Sequence, residues 1–304
     1  MNNSSKMNKP RRFGCHVGKV ASFLHLCCFG STLLLAAALS PSSYPDDEHE
    51  YACLQAERPM DIVLSHHEED LTSVRDKLER LQNHPFVAKR ACVHVYTKSS
   101  INSLSLIDAA GLNETVVVKT RNMGRESSSY LQYILSNYHT LPRHVAFLQA
   151  DVEDIDNVLD KLNHAIEQTG FLGLGIWGKC NCDNCNLIPG KLVRIREIWA
   201  LATGTFCLRD FLVSFRGQML VSRERVQRHP PKFYLKLLQS LYAMPGHALH
   251  GDLQYIDESE FARDIQRAVG IQGAHDSLFG HVLERMWSVI FDCHGVEAPN
   301  GCLN

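Results

Sequence analysis

From residue 61 onward the hydrophobic positions switch between two periods, and the switches predict elements. Asp61–Ser65 (DIVLS) is a short apolar run of the kind that forms a buried strand. Leu71, Val74, Leu78 and Leu81 then recur at helical spacing within 69–81. Glu68, Glu69 and Asp70 precede them and suit the positive end of a helix dipole. Cys92–Tyr96 and Thr115–Lys119 read as β-branched strands. Residues 126–138 read as a helix with Tyr130, Leu131, Ile134, Leu135 and Tyr138 on one face. His144–Gln149 follows as a strand, Ile155–Ile166 as a helix and Phe171–Trp177 as a glycine-interleaved strand. Leu192–Ala202 and Pro231–Tyr242 are helical, and Asp210–Phe215 with Gln218–Val221 read as a strand pair turning at Arg216-Gly217. Ser277–Phe291 predicts an amphipathic helix with His281 and Glu284 on its polar side. Strand and helix alternate through the first half. The expected class is therefore α/β, with crossover units in a largely parallel (mixed), Rossmann-like sheet and added C-terminal helices.

Before residue 61 the pattern changes. Val20–Leu39 contains no Asp, Glu, Lys or Arg and is long enough to span a bilayer as one helix. Lys6, Lys9, Arg11, Arg12 and Lys19 precede it; Asp46, Asp47, Glu48 and Glu50 follow. Positive-inside bias then predicts a cytosolic tail (1–19), a transmembrane signal-anchor (20–39), a stem (40–58), a luminal α/β domain (59–295) and a C-terminal tail (296–304). A cleaved signal peptide ending near Ala36-Ala37-Ala38 is the competing reading, and both deliver the domain to the same compartment. The expectation is a single-pass type II membrane protein of the secretory pathway, in the Golgi or endoplasmic reticulum.

Composition changes little in this picture. The chain is 45% hydrophobic and 21% charged, ordinary for a globular domain. A formal net charge of −2 gives no pull toward nucleic acid, so anion binding must come from a local cluster. Cysteine adds more. Beyond Cys15, Cys27 and Cys28 lie Cys53, Cys92, Cys180, Cys182, Cys185, Cys207, Cys293 and Cys302, an even set suited to disulfides whose pairing the spacing leaves open. Cys180, Cys182 and Cys185 with Cys207 would fit zinc by number, but a disulfide knot is favoured in an oxidising lumen. Asn113-Glu114-Thr115 is a glycosylation sequon on the same side.

Ligands of open α/β sheets sit beyond the carboxyl ends of the strands, and three polar clusters fall there. His66 and His67 follow the first strand. Arg121, Asn122, Gly124, Arg125 and Glu126 lie between the third strand and its helix, where free backbone N–H groups and nearby guanidinium groups would bind a diphosphate. Asp151 and Glu153 follow the fourth strand; two carboxylates there would hold Mn²⁺ or Mg²⁺, or simply cap a helix. Trp177 would stack on a sugar or fill the core. His281 and Glu284, one helical turn apart, would face one pocket as a base, or else a solvated surface.

Residues Asn122-Met123-Gly124-Arg125-Glu126, Tyr130-Leu131, Tyr138, Leu141-Pro142 and Phe147-Leu148-Gln149 together resemble a eukaryotic membrane-anchored family, the domain of unknown function 3431. Asp61–Ser65 with Glu69-Asp70, Ser214–Gln218, Val221-Ser222-x-Glu224-Arg225 and Gly280-His281-x-x-Glu284-Arg285-x-Trp287 extend the resemblance over about residues 60–292. More distantly, the Asn-x-Gly-Arg-acid element is similar to one in bacterial rhamnan-synthesis glycosyltransferases, which have the nucleotide-sugar-binding A-type fold. That likeness implies a donor site near Gly124, Arg125 and Glu126. Asp151-Val152-Glu153 departs from the Asp-x-Asp of that fold.

Two function classes follow. One is a type II membrane glycosyltransferase. It would take a nucleotide-sugar donor at Arg121, Asn122, Gly124, Arg125 and Glu126, with His66 and Trp177 on the substrates. Asp151 and Glu153 would hold a metal, and Glu284 or His281 would activate a glycan or protein acceptor. The other is a non-catalytic glycan- or protein-binding ectodomain on the same scaffold.

Overall fold

The computed structural model describes residues 53, 58–87, 91–101, 106, 115–185, 188–189, 195–207, 210–242, 278–295 and 301–304. The expected cytosolic tail and anchor, most of the stem and the sequon at Asn113 lie outside those residues. No helix among the described residues is long and apolar enough to cross a membrane.

The strands are β1 (Met60–His66), β2 (Cys92–Thr97), β3 (Thr115–Lys119), β4 (His144–Gln149), β5 (Thr169–Gly173), β6 (Trp177–Cys180), β7 (Asn184–Cys185), β8 (Ile188–Pro189), β9 (Phe211–Ser214), β10 (Met219–Ser222) and β11 (Cys302–Leu303). The helices are α1 (Leu71–Gln82), α2 (Arg125–Asn137), α3 (Ile155–Leu162), α4 (Ile195–Thr203), α5 (Arg223–Gln227), α6 (Pro231–Tyr242) and α7 (Leu278–Ile290). Seven strands make the central sheet in the order β11-β5-β10-β4-β1-β2-β3. β1 pairs in parallel with β2 and β4, and β2 with β3; β10 runs antiparallel between β4 and β5, so β5 points the same way as β4. The sheet is thus mixed but largely parallel, and its β3-β2-β1-β4 segment has the Rossmann-like order in which the chain reverses direction beside β1.

Side-chain alternation divides the core into two layers. Ile62 and Leu64 of β1, with Ala146 and Leu148 of β4, pack under Val74, Leu78 and Leu81 of α1 and Val158 and Leu162 of α3. Val63, Val145, Phe147 and Val221 point the other way, against Tyr130, Tyr133 and Ile134 of α2, Leu237 and Leu241 of α6, and Leu283, Met286 and Trp287 of α7. Helix α1 begins where the charge pattern predicts, with Asp70 as its N-cap accepting from the Ser73 amide at 2.9 Å. At the amino end of β1, Asp61 is fully buried. Arg58 grips it through both oxygens (2.5 and 2.7 Å), and it accepts from the Tyr133 hydroxyl.

Several expectations are corrected. Phe171–Trp177 is not one strand. It divides between β5 in the main sheet and β6 in a two-stranded sheet with β9. The chain must leave the main sheet at Gly175, where a Cβ would lie 1.8 Å from the Phe215 carbonyl oxygen. Residues 210–221 likewise form no hairpin: β9 pairs with β6 and β10 with β4 and β5. α3 stops at Leu162 because Ile166, the next apolar position in the pattern, is half exposed and has no core to meet. Residues 302–303, assigned to a tail, add edge strand β11. α7 is not half solvated; residues 279–291 are buried throughout, polar side chains included.

All eight cysteines beyond the apolar segment pair, as Cys53–Cys92, Cys180–Cys185, Cys182–Cys207 and Cys293–Cys302. The compact Cys180–Cys185 motif is therefore a disulfide knot, and the domain belongs to an oxidising secretory or extracellular environment.

Candidate functional site

The carboxyl ends of β1 to β5 and the start of β10 share one edge of the sheet, and most of the predicted polar residues lie along it. The turn entering α2 is built by two successive left-handed residues, Gly124 (φ 69°) and Arg125 (φ 51°). Gly124 is required there twice over: by its dihedral, and by Leu241, whose Cδ2 would meet an added Cβ at 3.0 Å. Gly280 on α7 plays the matching part, since a Cβ there would press on the Arg125 side chain at 3.3 Å. Gly124 lets α6 pack on the turn and Gly280 lets α7 close on it, and the Arg125 guanidinium reaches across. Its NH1 lies 3.3 Å from His281 Nε2, its NH2 3.7 Å from Glu284 Oε2 and its Nε 3.4 Å from Glu126 Oε2.

Glu284 ties a third segment into this cluster. Its Oε1 accepts the Arg216 backbone N–H at 2.7 Å, and Arg216 in turn pairs with Glu153 at 2.8 Å. Arg285 sits over the Phe215 ring and beside Glu284. Three of the four non-glycine residues with positive φ among the described residues, Arg125, Asp154 and Arg216, lie on this edge. Backbone strain of that kind concentrates at functional sites.

Burial sets the charges. Glu126 is 6% exposed, and its Oε1 has no hydrogen-bond partner among the described residues. Burial pushes its carboxyl above the ordinary range; Arg125 opposes the shift and Glu284 adds to it. Tyr130 and Trp287, packed alongside, also bury a polar atom without a partner among the described residues. Lys98, at the carboxyl end of β2, is lowered to about 8 by burial, against the pull of Glu126. The basic side chains of Lys98, Arg125, Arg216 and Arg285 thus meet the carboxyl groups of Glu69, Glu126, Glu153 and Glu284 along this edge.

The other predicted residues are placed differently. His66 is 1% exposed, with its ring nitrogens on the Thr97 hydroxyl (3.0 Å) and the Glu69 carbonyl (3.3 Å). His67 is the one that reaches the loop, meeting Asn122 Nδ2 at 2.8 Å. Arg121 is exposed beside it. Trp177 is half-buried against Gly173. Asp151 pairs with Lys77 of α1, away from Glu153, and Lys77 holds its carboxyl below the ordinary range. Asp151 and Glu153 are thus each committed to a different cation.

Among the described residues, one trio of potential ligands, Asp61, Cys92 and His94, brings its atoms within 4.8 Å of one another. It lies at the amino end of the sheet. Cys92 is bonded to Cys53 and Asp61 to Arg58, so the trio offers neither a thiolate nor an unpaired carboxylate. A cavity of about 570 Å³ also lies apart from the cluster, between β2–β3 and α2, lined by His94, Tyr96, Val116, Val118, Leu135 and Leu238 among others.

Lys98, Arg216 and Arg285 were not among the predicted site residues. The strand-end rule that selected His66 and Arg121 would have selected Lys98 one residue past β2, and Arg216-Gly217 is a turn signal in its own right.

Comparison with known proteins agrees with the resemblance. Residues 62–182 match the family described as "Protein of unknown function (DUF3431)". No curated protein matches the chain. Among solved structures, the apo form of mouse xyloside xylosyltransferase 1 is similar at 10% identity. The alignment covers 76% of this chain and 84% of that one with a TM-score of 0.29, a likeness too loose to carry an argument.

Proposed function

We propose that the protein is a glycosyltransferase of the secretory pathway, anchored as a type II membrane protein through residues 20–39, that binds a nucleotide-sugar donor at the carboxyl edge of its sheet. The observation that carries the reading is Arg125. Its side chain is 26% exposed, at the start of a 13-residue helix, with the basic side chains of Lys98 and Arg285 close by. A partly buried guanidinium at a helix N-terminus suits a diphosphate. Arg121 and Asn122 would extend that contact outward, with Trp177 flanking the sugar.

In the transfer, the acceptor hydroxyl gives its proton to the His281–Glu284 pair, whose Nδ1 and Oε2 are 3.8 Å apart. The acceptor oxygen bonds to the anomeric carbon as the bond from that carbon to the diphosphate oxygen breaks. The departing diphosphate carries away the charge that Arg125 neutralises. Asp151 and Glu153 fit an Mn²⁺ or Mg²⁺ ion poorly as they stand, because an ion would first have to displace Lys77 and Arg216.

One observation favours the second reading, a glycan- or protein-binding ectodomain: His281 and Glu284 are each only 7% exposed, behind Arg125. Incubating the purified protein with nucleotide sugars and measuring release of free nucleotide, with and without Glu284→Gln, separates the two. Release that depends on Glu284 supports a transferase. Nucleotide binding without release supports the binding module.

A further inference from the structure

We propose that Lys98 is a positioning residue of this site, an ammonium clamp that holds the Met123–Gly124–Arg125 turn and so aims the Arg125 guanidinium at His281 and Glu284. Its importance for ligand binding rests on the donor-site reading above; the clamp itself rests on geometry alone.

Lys98 Nζ donates to the Arg125 carbonyl oxygen and, at 3.3 Å, to that of Met123. Those two carbonyls bracket the left-handed pair Gly124 and Arg125. The Ser128 hydroxyl reaches the same two oxygens, at 2.6 Å from Met123 and 3.2 Å from Arg125. The strained turn is therefore held from two sides, from β2 by an ammonium and from within α2 by a hydroxyl. Nothing else on β2 touches it by a side-chain hydrogen bond among those described. An unheld αL conformation at a non-glycine residue would relax.

The groups facing Lys98 are Glu126 and Arg125 on α2 and Glu69 before α1. Burial lowers its pKa to about 8, the two glutamates resist, and Arg125 adds to the lowering. Losing that proton turns two charge-assisted hydrogen bonds into weaker neutral ones. The clamp therefore loosens as the pH rises past about 8, and Arg125 loses its aim with it.

The test is hydrogen exchange of the intact protein between pH 7 and pH 9.5, corrected for intrinsic rates. It follows the Ser128 amide, which donates to the Gly124 carbonyl at 3.3 Å across the turn, with β4 (144–149) as the reference for global folding. Wild type should lose protection about fivefold at Ser128 across that range, the change expected from weakening charge-assisted bonds. Lys98→Met should be poorly protected there at every pH, with β4 unchanged. Ser128→Ala should be less protected than wild type yet keep the pH step, because Lys98 remains. If Lys98→Met exchanges like wild type, or if its loss of protection is equally large in β4, the clamp is overturned. Titration of UDP and GDP into the same samples should show affinity falling over the same pH step. If neither nucleotide binds, the donor-site reading fails, while the exchange data still decide the clamp.

Discussion

Substituting Gly124 by alanine tests whether the site turn is built as described, and the structure supplies its own control. Gly124 and Gly204 have the same φ, 69°, but an added Cβ meets nothing within 4 Å at Gly204 and meets Leu241 at 3.0 to 3.2 Å at Gly124. An alanine held left-handed costs about 1 kcal/mol at either site. Stiffening the unfolded chain offsets about 0.5 kcal/mol of that. At Gly124 alone, Leu241, which is buried, must also leave its rotamer, for about 1 kcal/mol more. Gly204→Ala should therefore destabilise by about 0.5 kcal/mol and Gly124→Ala by about 1.5 kcal/mol. At about 3 °C per kcal/mol, thermal unfolding followed by circular dichroism should show shifts of about 1–2 °C and 4–5 °C. Leu241→Ala is costly by itself, but combined with Gly124→Ala the total should fall short of the sum by a good part of about 1 kcal/mol, because the contacts with both Cδ atoms are gone and only that with Cβ at 3.2 Å remains. Equal shifts for the two glycines, or strict additivity with Leu241→Ala, would refute the packing of α6 on the turn.

Further outcomes follow from the same contacts. Because the folded-state pKa of Glu126 is raised, the native state holds a proton that the unfolded chain releases, so stability falls as pH rises through and above the ordinary carboxylate range. Glu126→Gln should flatten that part of the urea-midpoint profile, and an unchanged slope would show Glu126 is not the group responsible. Asp61 behaves oppositely. Burial pushes its carboxyl up, but His94, Arg58 and Tyr133 together hold it below the usual value, so its contribution is lost on acidification. Arg58→Ala, which leaves that buried carboxylate with only His94 and Tyr133, should cost about 3 kcal/mol by urea denaturation at neutral pH. Breaking Cys293–Cys302, which closes a separation of 9 residues, should cost about 2.5 kcal/mol in the same assay; a cost near zero would mean β11 stays docked without it. Since Asp151 and Glu153 are already paired, EDTA should leave nucleotide affinity unchanged, and a tenfold loss would contradict that reading.

Most strands of the sheet are legible because a buried parallel strand needs only a short, mainly apolar run: Asp61–Ser65, Cys92–Tyr96 and His144–Gln149 each lie within or coincide with the observed elements. Edge strand Thr115–Lys119, none of whose residues is buried, is legible instead by its β-branched residues. The convergence of the Arg125 turn with α7 is not legible that way. His281 and Glu284 look like a solvated stripe until their partners are known, and those partners, Arg125 and the Arg216 amide, are 156 and 68 residues away in sequence. Gly280 carried the clue, as a glycine inside an apolar helix with no local purpose. Phe171–Trp177 misleads for a related reason: Gly175 marks a close approach by Phe215, which only the folded chain supplies.

The most direct test of the donor-site reading is calorimetric titration of the full-length protein with UDP, GDP, CMP and their sugars, in parallel with Arg125→Ala. The account predicts binding of at least one nucleotide at micromolar affinity, weakened at least about tenfold in the variant. No binding to any nucleotide by the folded protein, or equal binding by Arg125→Ala, would contradict it.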